Sequence, residues 1–124
     1  MNNKISSNLK DIYKEVNRLN STYYNAFKKM NITIRQFRGC FVNMLLVDLL
    51  NKISDTYFDR DSIDDYKAHL KDLYLLLKKV EFNLRLCYEL NFINDKDKLQ
   101  LNSIIGKLSN LIKNERNHLD NELC

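Results

Sequence analysis

The sequence predicts an all-α fold, an antiparallel up-down-up-down four-helix bundle that forms one domain of 124 residues. Two observations support this fold class. The chain has no proline and only two glycines, a composition typical of long helices joined by short turns. Apolar residues also recur at steps of three and four, as on the buried face of a helix. The predicted helices cover about residues 7–30, 34–58, 62–90 and 95–116.

The first predicted helix combines an apolar seam with a basic edge. The seam runs from Leu9 to Met30 at helical spacing. Lys10, Lys14 and Arg18 repeat every four residues along one edge. Like charges at this spacing destabilise an isolated helix by a few tenths of a kcal/mol per pair. Since folding does not require such an edge, it favours an anionic ligand.

The second predicted helix follows a short turn and begins at a capping box formed by Thr33 and Gln36. Its first half is apolar on nearly every face, whereas the same faces become polar in its second half. These additional apolar residues predict either a contact between subunits or packing beneath the turns at one end of the bundle. The residues assigned to the subunit contact are Phe37, Phe41 and Met44.

The third predicted helix, capped by Asp61 or Ser62, carries two apolar stripes. One stripe, residues 63–87, advances at alternating steps of three and four and is predicted to face the core. The second stripe lies about half a turn away. A bundle needs one buried stripe per helix, so the second stripe predicts a further subunit interface. Its members assigned to that interface are Leu75, Phe82 and Leu86.

The fourth predicted helix is capped by Asn94 or Asp95 and has a single apolar seam. Gly106 lies inside this helix, where glycine costs about 1 kcal/mol relative to alanine. We therefore expect a neighbouring element to approach closely at Gly106. The polar tail, residues 117–124, is expected to fray.

Positive charge is concentrated in the N-terminal third of the chain. The net charge is +4, yet residues 1–38 carry eight basic and two acidic residues, so this part has a charge of +6 and the rest −2. Such a concentration indicates an anionic partner, nucleic acid first, although charge alone favours a solvated lysine-rich face. The predicted phosphate contacts are Lys10, Lys14, Arg18, Lys28, Lys29, Arg35 and Arg38, with a second stripe at Lys67, Lys71, Lys78 and Arg85.

The sequence contains no catalytic signature. Its two histidines, His69 and His118, lie on different predicted helices without cysteine or carboxylate at ligand spacing, so no metal site is predicted. A glycine-rich phosphate loop and a nucleophile–histidine pairing are also missing. We therefore predict a protein that is not an enzyme and has neither a cofactor nor a small-molecule substrate.

Three tyrosines are the best candidates for stacking on nucleic-acid bases. Tyr23 and Tyr24 precede Lys28, and Tyr74 lies between Lys71 and Lys78. For each of them, however, a position at the boundary of the core is the favoured interpretation.

The cysteines and the hydropathy pattern predict a cytoplasmic protein that does not enter a membrane. Cys40, Cys87 and Cys124 form an odd set without CxxC spacing, which fits a reducing compartment. Cys40 and Cys87 lie in apolar runs, where free cysteine behaves as a small hydrophobic residue. The most apolar run, residues 41–50, is far shorter than the ~20 residues of a membrane span, and the N-terminus lacks the apolar core of a signal peptide.

Recognisable helix patterns occur in three stretches, residues 43–58, 84–93 and 104–113. Together they resemble a bacterial four-helix-bundle superfamily. It holds the proteins encoded in ribosomal-RNA intervening sequences and the accessory variability determinant (Avd) of diversity-generating retroelements. Residues 43–58 resemble its second helix, residues 84–93 the end of its third helix, and residues 104–113 its fourth. The similarity of length, helix order and loop positions extends over nearly the whole chain. Two positions depart from the family pattern, since Asn31–Ile32 replaces a common proline and Leu111 a tryptophan.

This resemblance implies a protein without catalytic activity of its own. For the Avd branch it implies a ring-like homo-oligomer, a pentamer, with a positive surface. Such a protein binds the retroelement's reverse transcriptase and its template RNA, and it supports error-prone cDNA synthesis and mutagenic retrohoming. The intervening-sequence branch shares the fold without an assigned role. The alternative is therefore a structural or protein-interaction bundle that does not bind RNA or DNA.

Overall fold

The computed structural model describes the backbone of residues 3–123 and the side chains of residues 8–120. Within these residues all regular structure is helical, and four long helices without a strand confirm the predicted all-helical class. The helices are α1, Asn3–Phe27; α2, residues 32–58, which joins Ile32–Ile34, a π-helical Arg35–Gly39 and Cys40–Phe58; α3, Ile63–Glu89; and α4, Asp95–Leu123.

A single apolar core lies between the four helices. Each helix contributes fully buried side chains, such as Leu19 of α1, Leu46 of α2, Leu73 of α3 and Leu108 of α4. The predicted seam of α3 is buried from Tyr66 to Cys87. Ile63, where that predicted seam begins, is largely exposed, because the first turn of α3 extends beyond the packed part of its neighbours.

The helices pack in a cyclic order around this core. The most extensive contacts join α2 to α3, α1 to α4, and α3 to α4, while α1 and α2 touch less extensively. Since α1 and α3 make almost no direct contact, they lie across the core from each other. Side-chain hydrogen bonds of Asn8 with Glu115 and of Lys29 with Asp97 link α1 to α4 at the two ends of their interface.

Two predicted caps are correct, and one is wrong. The Ser62 hydroxyl accepts a hydrogen bond from the Asp65 amide at 3.4 Å, and the Asn94 side chain accepts one from the Asp97 amide at 2.8 Å. At the start of α2, however, the cap is Asn31, whose side chain accepts from the Ile34 amide at 2.9 Å. The helix therefore begins at Ile32, before the predicted capping box.

The ends of α1 and α4 also differ from the prediction. Residues 28–30 form a turn rather than the last turn of α1, which buries Met30 beneath the bundle. In contrast, α4 continues to Leu123 instead of ending near Arg116. Its extension is anchored in the core by Glu115 and Leu119, both buried, so most of the predicted frayed tail is helical. Cys124 lies outside the described residues.

The close approach predicted at Gly106 occurs instead at Gly39. Gly106 is exposed, and a Cβ atom added there would have no neighbour within 4 Å. A Cβ atom on Gly39 would lie 2.8 Å from the Phe27 ring, a distance that side chains do not tolerate without movement. Gly39 ends the π-helical segment, and its carbonyl accepts a buried hydrogen bond from the Tyr23 hydroxyl at 2.9 Å. The sequence reasoning did not predict this π-helical turn.

Candidate interaction surfaces

The first half of α2 presents apolar side chains to solvent. Phe37 is 74% exposed, and Phe41 and Met44 are also exposed. Because these side chains do not pack beneath the turns of their own chain, that alternative is wrong. Together with Phe92 they line an open groove of about 600 Å³ on the outside of the bundle. Nothing within the described chain covers these apolar side chains, and their assignment to a subunit contact stays a prediction.

The second apolar stripe of α3 is also exposed in part, although none of its residues lines this groove. Phe82 is 57% exposed, Leu75 is exposed and Leu86 is half-buried. Lys52 of α2 pairs with Asp72 of α3, and Asp59, just after α2, pairs with His69. The residue number therefore rises along α2 while that of its neighbour on α3 falls. This register places Phe41 and Met44 at the level of Phe82 and Leu86. We refer to all six predicted interface residues as the apolar outer surface: Phe37, Phe41, Met44, Leu75, Phe82 and Leu86.

Three exposed lysines lie on α1 and the turn after it: Lys10 and Lys14 of the helix, and Lys28 of the turn. No carboxylate among the described residues pairs with any of them. The Lys28 ammonium lies 5.4 Å from the centre of the exposed Tyr24 ring. We refer to the three lysines as the α1 basic face. Because they keep their full charge toward solvent, they are the strongest of the predicted phosphate contacts.

Two other predicted contacts on and near α1 are partly neutralised. Arg18 pairs with Glu15 at 3.3 Å, and Lys29 pairs with Asp97 at 3.0 Å. Both carboxylates are nearly buried at the interface with α4. These two cations therefore have a structural role that the sequence reasoning did not assign to them.

The arginines of α2 point partly inward. Arg35 and Arg38 are half-buried, and the Nε atom of Arg35 is buried without a hydrogen-bond partner in the described residues. Burial raises the pKa of the Cys87 thiol, and the positive charge of Arg38 opposes that rise. Because Arg35 and Arg38 are both half-buried, the predicted cluster at this end of the bundle is less open to an anion than its charge count implies.

The second predicted basic stripe follows α3, across the core from the α1 basic face. Lys67 pairs with Asp120, and Lys78 pairs with Glu81 at 3.4 Å. Two other members of the stripe, Lys71 and Arg85, are exposed. The eleven predicted basic residues therefore do not form one continuous surface.

The predicted stacking tyrosines differ in accessibility. Tyr23 is fully buried, so it cannot stack on a base, and its burial agrees with the favoured interpretation as a residue of the apolar seam. Tyr24 is exposed, as stacking on a base would require. Tyr74 is half-buried, and its ring lies 5.2 Å from the Lys78 ammonium and 5.6 Å from the Lys113 ammonium.

The two described cysteines lie in different environments. Cys87 is buried, as predicted for a small hydrophobic residue. Cys40 is exposed, contrary to the prediction, because it lies beside Phe37 and Phe41 on the uncovered side of α2.

A second groove, which the sequence reasoning missed, opens between α1 and α2. It has a volume of about 400 Å³, and its walls include Tyr13, Tyr57 and Phe58. The sequence reasoning assigned Tyr57 to the core seam of α2, but the ring is partly exposed. The sequence did contain one signal for this groove, because helical spacing places Tyr13 next to the basic edge of α1 and away from its apolar seam. The separation of α1 from the C-terminal half of α2 could not be read from the sequence.

A buried polar cluster joins three helices. The Glu115 carboxylate is fully buried, and it accepts hydrogen bonds from the Tyr66 hydroxyl at 3.0 Å and the Asn8 side-chain amide at 3.3 Å. Burial raises the pKa of the Tyr66 phenol, and the neighbouring Glu115 raises it further. The cluster satisfies polar groups inside the core and therefore fixes α1, α3 and α4 relative to one another.

In the side chains that the structure describes, no group of three His, Cys, Asp or Glu residues is arranged to hold a metal ion. His69 instead hydrogen-bonds to Asp59 at 2.7 Å. Among the described helices none is both long enough and apolar enough to cross a bilayer.

Comparisons with protein-family models, with curated proteins and with solved structures found no match to this chain.

Proposed function

We propose that the protein is a non-enzymatic accessory bundle that forms a homo-oligomer and binds nucleic acid. The observation that supports this function best is the position of its two unusual surfaces. The apolar outer surface lies on α2 and α3, whereas the α1 basic face lies on a different side of the bundle. A chain built in this way can contact other copies and an anionic polymer at the same time.

Assembly uses the apolar outer surface. Soluble monomers rarely leave neighbouring aromatic side chains such as Phe37, Phe41 and Phe82 open to water. Burying them between copies stabilises the oligomer by removing apolar area from solvent. In the proposed arrangement each copy is an antiparallel up-down-up-down bundle and presents this surface to its neighbours.

Nucleic-acid binding uses the α1 basic face. Lys10, Lys14 and Lys28 have no carboxylate partner among the described residues, so a phosphate can replace water and counterions around them at little cost. In an oligomer, copies of this face add to one another, and the affinity for a long anionic polymer rises through multivalency.

The resemblance to the Avd group supplies the biological setting of this proposal. In that setting the protein acts in the cytoplasm as a pentameric accessory of a diversity-generating retroelement. It binds the reverse transcriptase and its template RNA or the cDNA, and it supports mutagenic retrohoming.

One observation favours a second candidate, a structural or protein-interaction bundle of the intervening-sequence type. Four of the predicted phosphate contacts, Arg18, Lys29, Lys67 and Lys78, form ion pairs within the chain. In this alternative the remaining cations are solvated, and the apolar outer surface alone performs the function.

Salt-dependent binding distinguishes the two candidates. We would measure the affinity for fluorescent RNA and DNA by anisotropy across a range of salt concentrations. The test variant replaces Lys10, Lys14 and Lys28 with glutamine. Loss of three phosphate contacts should weaken binding and reduce the slope of log K against log salt by about two units.

A matched control replaces three α4 lysines, Lys96, Lys107 and Lys113, with glutamine. It removes the same charge from another side of the bundle and should lower the slope much less. Equal slopes for the two variants would contradict the proposed face. An oligomeric wild-type protein that binds neither RNA nor DNA would support the protein-interaction alternative.

A further inference from the structure

The groove between α1 and α2 differs from the apolar outer surface in both shape and composition. Its floor is formed by Leu9 and Ile53, which belong to the core. Aromatic rings flank the floor on both sides. Tyr13 of α1 is 51% exposed, and Phe58 of α2 is 76% exposed. The volume of about 400 Å³ is sufficient for a flat ring system but small for a folded partner.

The rings of this groove are held in place by their neighbours. The Arg60 guanidinium lies 3.8 Å from the centre of the Tyr57 ring, and its Nη1 atom donates a hydrogen bond to the Tyr57 carbonyl at 2.6 Å. The Phe58 ring meets the Tyr57 ring edge to face, with 5.7 Å between centroids. Arg60 thus covers one face of Tyr57. Ordering these rings in advance reduces the entropy that a stacked ligand would lose on binding.

The rim of the groove is positively charged. Lys10 lines it directly, and Lys14 lies one turn further along α1. Two acidic residues near this end of α2 are already engaged, since Asp55 pairs with Lys52 and Asp59 with His69. Exposed rings bordered by unpaired cations are the arrangement with which proteins hold single-stranded nucleic acid, through base stacking and phosphate contacts.

We propose that this groove binds an unpaired base of single-stranded RNA or DNA. The base stacks against Tyr13 and the Tyr57–Phe58 pair, and Lys10 and Lys14 contact the flanking phosphates. The Ser54 hydroxyl, which also lines the groove, is available to the polar edge of the base. This inference rests on the proposed nucleic-acid function and specifies the form of nucleic acid that binds.

The experiment compares oligonucleotides of about 12 nucleotides, which spans the usual site size of a single-strand-binding module. Fluorescent oligo-uridine, oligo-thymidine, an abasic strand of the same length and a duplex are titrated with the wild-type protein. We expect both single strands to bind at least about fivefold more tightly than the abasic strand and the duplex. The uridine and thymidine arms show whether RNA or DNA is preferred.

Variants assign the effect to the groove. The double change Tyr13→Ala with Tyr57→Ala should abolish the preference for strands that carry bases while leaving abasic-strand binding unchanged. The matched control, Tyr13→Phe with Tyr57→Phe, keeps both rings and should keep the preference. Circular dichroism would verify that both proteins are folded, and the control remains informative if the alanine variant does not fold.

The outcomes separate the two proposals. Equal binding of base-containing, abasic and duplex oligonucleotides would overturn the groove inference and would leave phosphate binding intact. Retention of the preference by the folded alanine variant would also overturn it. No binding to any oligonucleotide would overturn both the groove inference and the proposed nucleic-acid function.

Discussion

Two regions of the molecule hold side chains in environments that do not suit them. The interface between α1 and α4 buries a carboxylate, whereas the outer surface of α2 and α3 exposes aromatic rings to water. At the α1–α4 interface, the Oε1 atom of the nearly buried Glu15 lies 3.0 Å from Lys107 and 3.3 Å from Arg18. Within the described chain the α2–α3 surface leaves Phe37 and Phe82 facing water. The charge of Glu15 is thus paired within the chain, while its Oε2 atom is buried without a hydrogen-bond partner in the described residues. Nothing in the described chain covers the second region, which we propose is buried on assembly.

This difference separates a region that serves folding from a region to which we assign binding as a proposal. A buried carboxylate without a partner would destabilise the fold by several kcal/mol, so its partners must be present in the same chain. Exposed aromatic rings cost the folded monomer little, because they are also hydrated in the unfolded chain. Substitutions in the two regions should therefore affect different measurements.

The largest expected effect is on assembly. Replacing Phe37 and Phe41 with glutamate should weaken self-association by about 100-fold or more, since central aromatic residues of an interface contribute at least ~2 kcal/mol each. The melting temperature of the dissociated chain should change little, because neither ring belongs to the core. Light scattering measures the loss of self-association, and thermal melting measures the stability of the dissociated chain.

Leu99→Glu is the control for this change, because it places a charge at an exposed leucine of α4, outside the apolar outer surface. It should leave the mass in solution unchanged. A monomeric wild-type protein would contradict the prediction, as would an equal loss of assembly in the control.

The next largest effect is on stability at alkaline pH. Burial raises the pKa of both Tyr23 and Tyr66 above the ordinary value of 10.0. Above that pH the unfolded chain loses these protons while the folded chain keeps them. The free energy of unfolding should therefore fall by up to about 1.4 kcal/mol per pH unit for each tyrosine, and this contribution should be constant below pH 10.

Urea unfolding at a series of pH values measures this dependence. Tyr66→Phe should remove about half of the contribution of the two tyrosines to the alkaline slope, and it should lower stability at neutral pH because Glu115 loses a hydrogen bond. Tyr24→Phe, at an exposed position, should retain the full slope. A slope that is the same in the Tyr66 variant and the wild type would show that Tyr66 does not cause it.

The same change, glycine to alanine, tests close packing at the two glycines of the chain. Gly39→Ala places a methyl group 2.8 Å from the Phe27 ring and should destabilise the fold by about 1–3 kcal/mol. Gly106→Ala meets no atom within 4 Å and should stabilise α4 by about 1 kcal/mol. Chemical denaturation measures both effects. Equal changes at the two positions would mean that the Phe27 ring moves aside freely.

The smallest expected effect concerns one ion pair. Lys107→Gln removes a cation from the nearly buried Glu15 and should cost about 1 kcal/mol or less, since the lysine itself is exposed. Lys14→Gln removes an unpaired cation from the α1 basic face and should change stability by no more than about 0.5 kcal/mol. Unfolding measured at low and high salt distinguishes the two variants, because salt should reduce only the destabilisation caused by Lys107→Gln.

Helical periodicity predicted most of the fold because each helix buries one stripe. The seam of α3 from Tyr66 to Cys87 is buried as its spacing requires. The misses occur where contacts between helices decide the outcome. The spacing of Tyr23 places its ring in the apolar seam of α1. The spacing does not show that its hydroxyl is also buried, which depends on the hydrogen bond to the Gly39 carbonyl of another helix. Likewise, a glycine inside a helix does not reveal whether a neighbour lies against it.

The interaction surfaces were predictable in composition but not in arrangement. The sequence identified the second stripe of α3 and the apolar half of α2, since neither is needed by the core. It also identified the basic residues, yet it could not tell Lys14, which is unpaired among the described residues, from Lys29, whose partner Asp97 lies on a distant helix. The groove that contains Tyr13 and Tyr57 was missed because it depends on how far two helices separate.

By itself, the sequence determined the helical class, the buried stripes and the excess of apolar and basic residues, because these properties depend on spacing along the chain. Only the tertiary structure decided which cations are neutralised, which glycine is crowded and where the aromatic groove opens. These properties depend on distances between residues that lie on different helices. Local periodicity carries no information about such distances until the helices are packed.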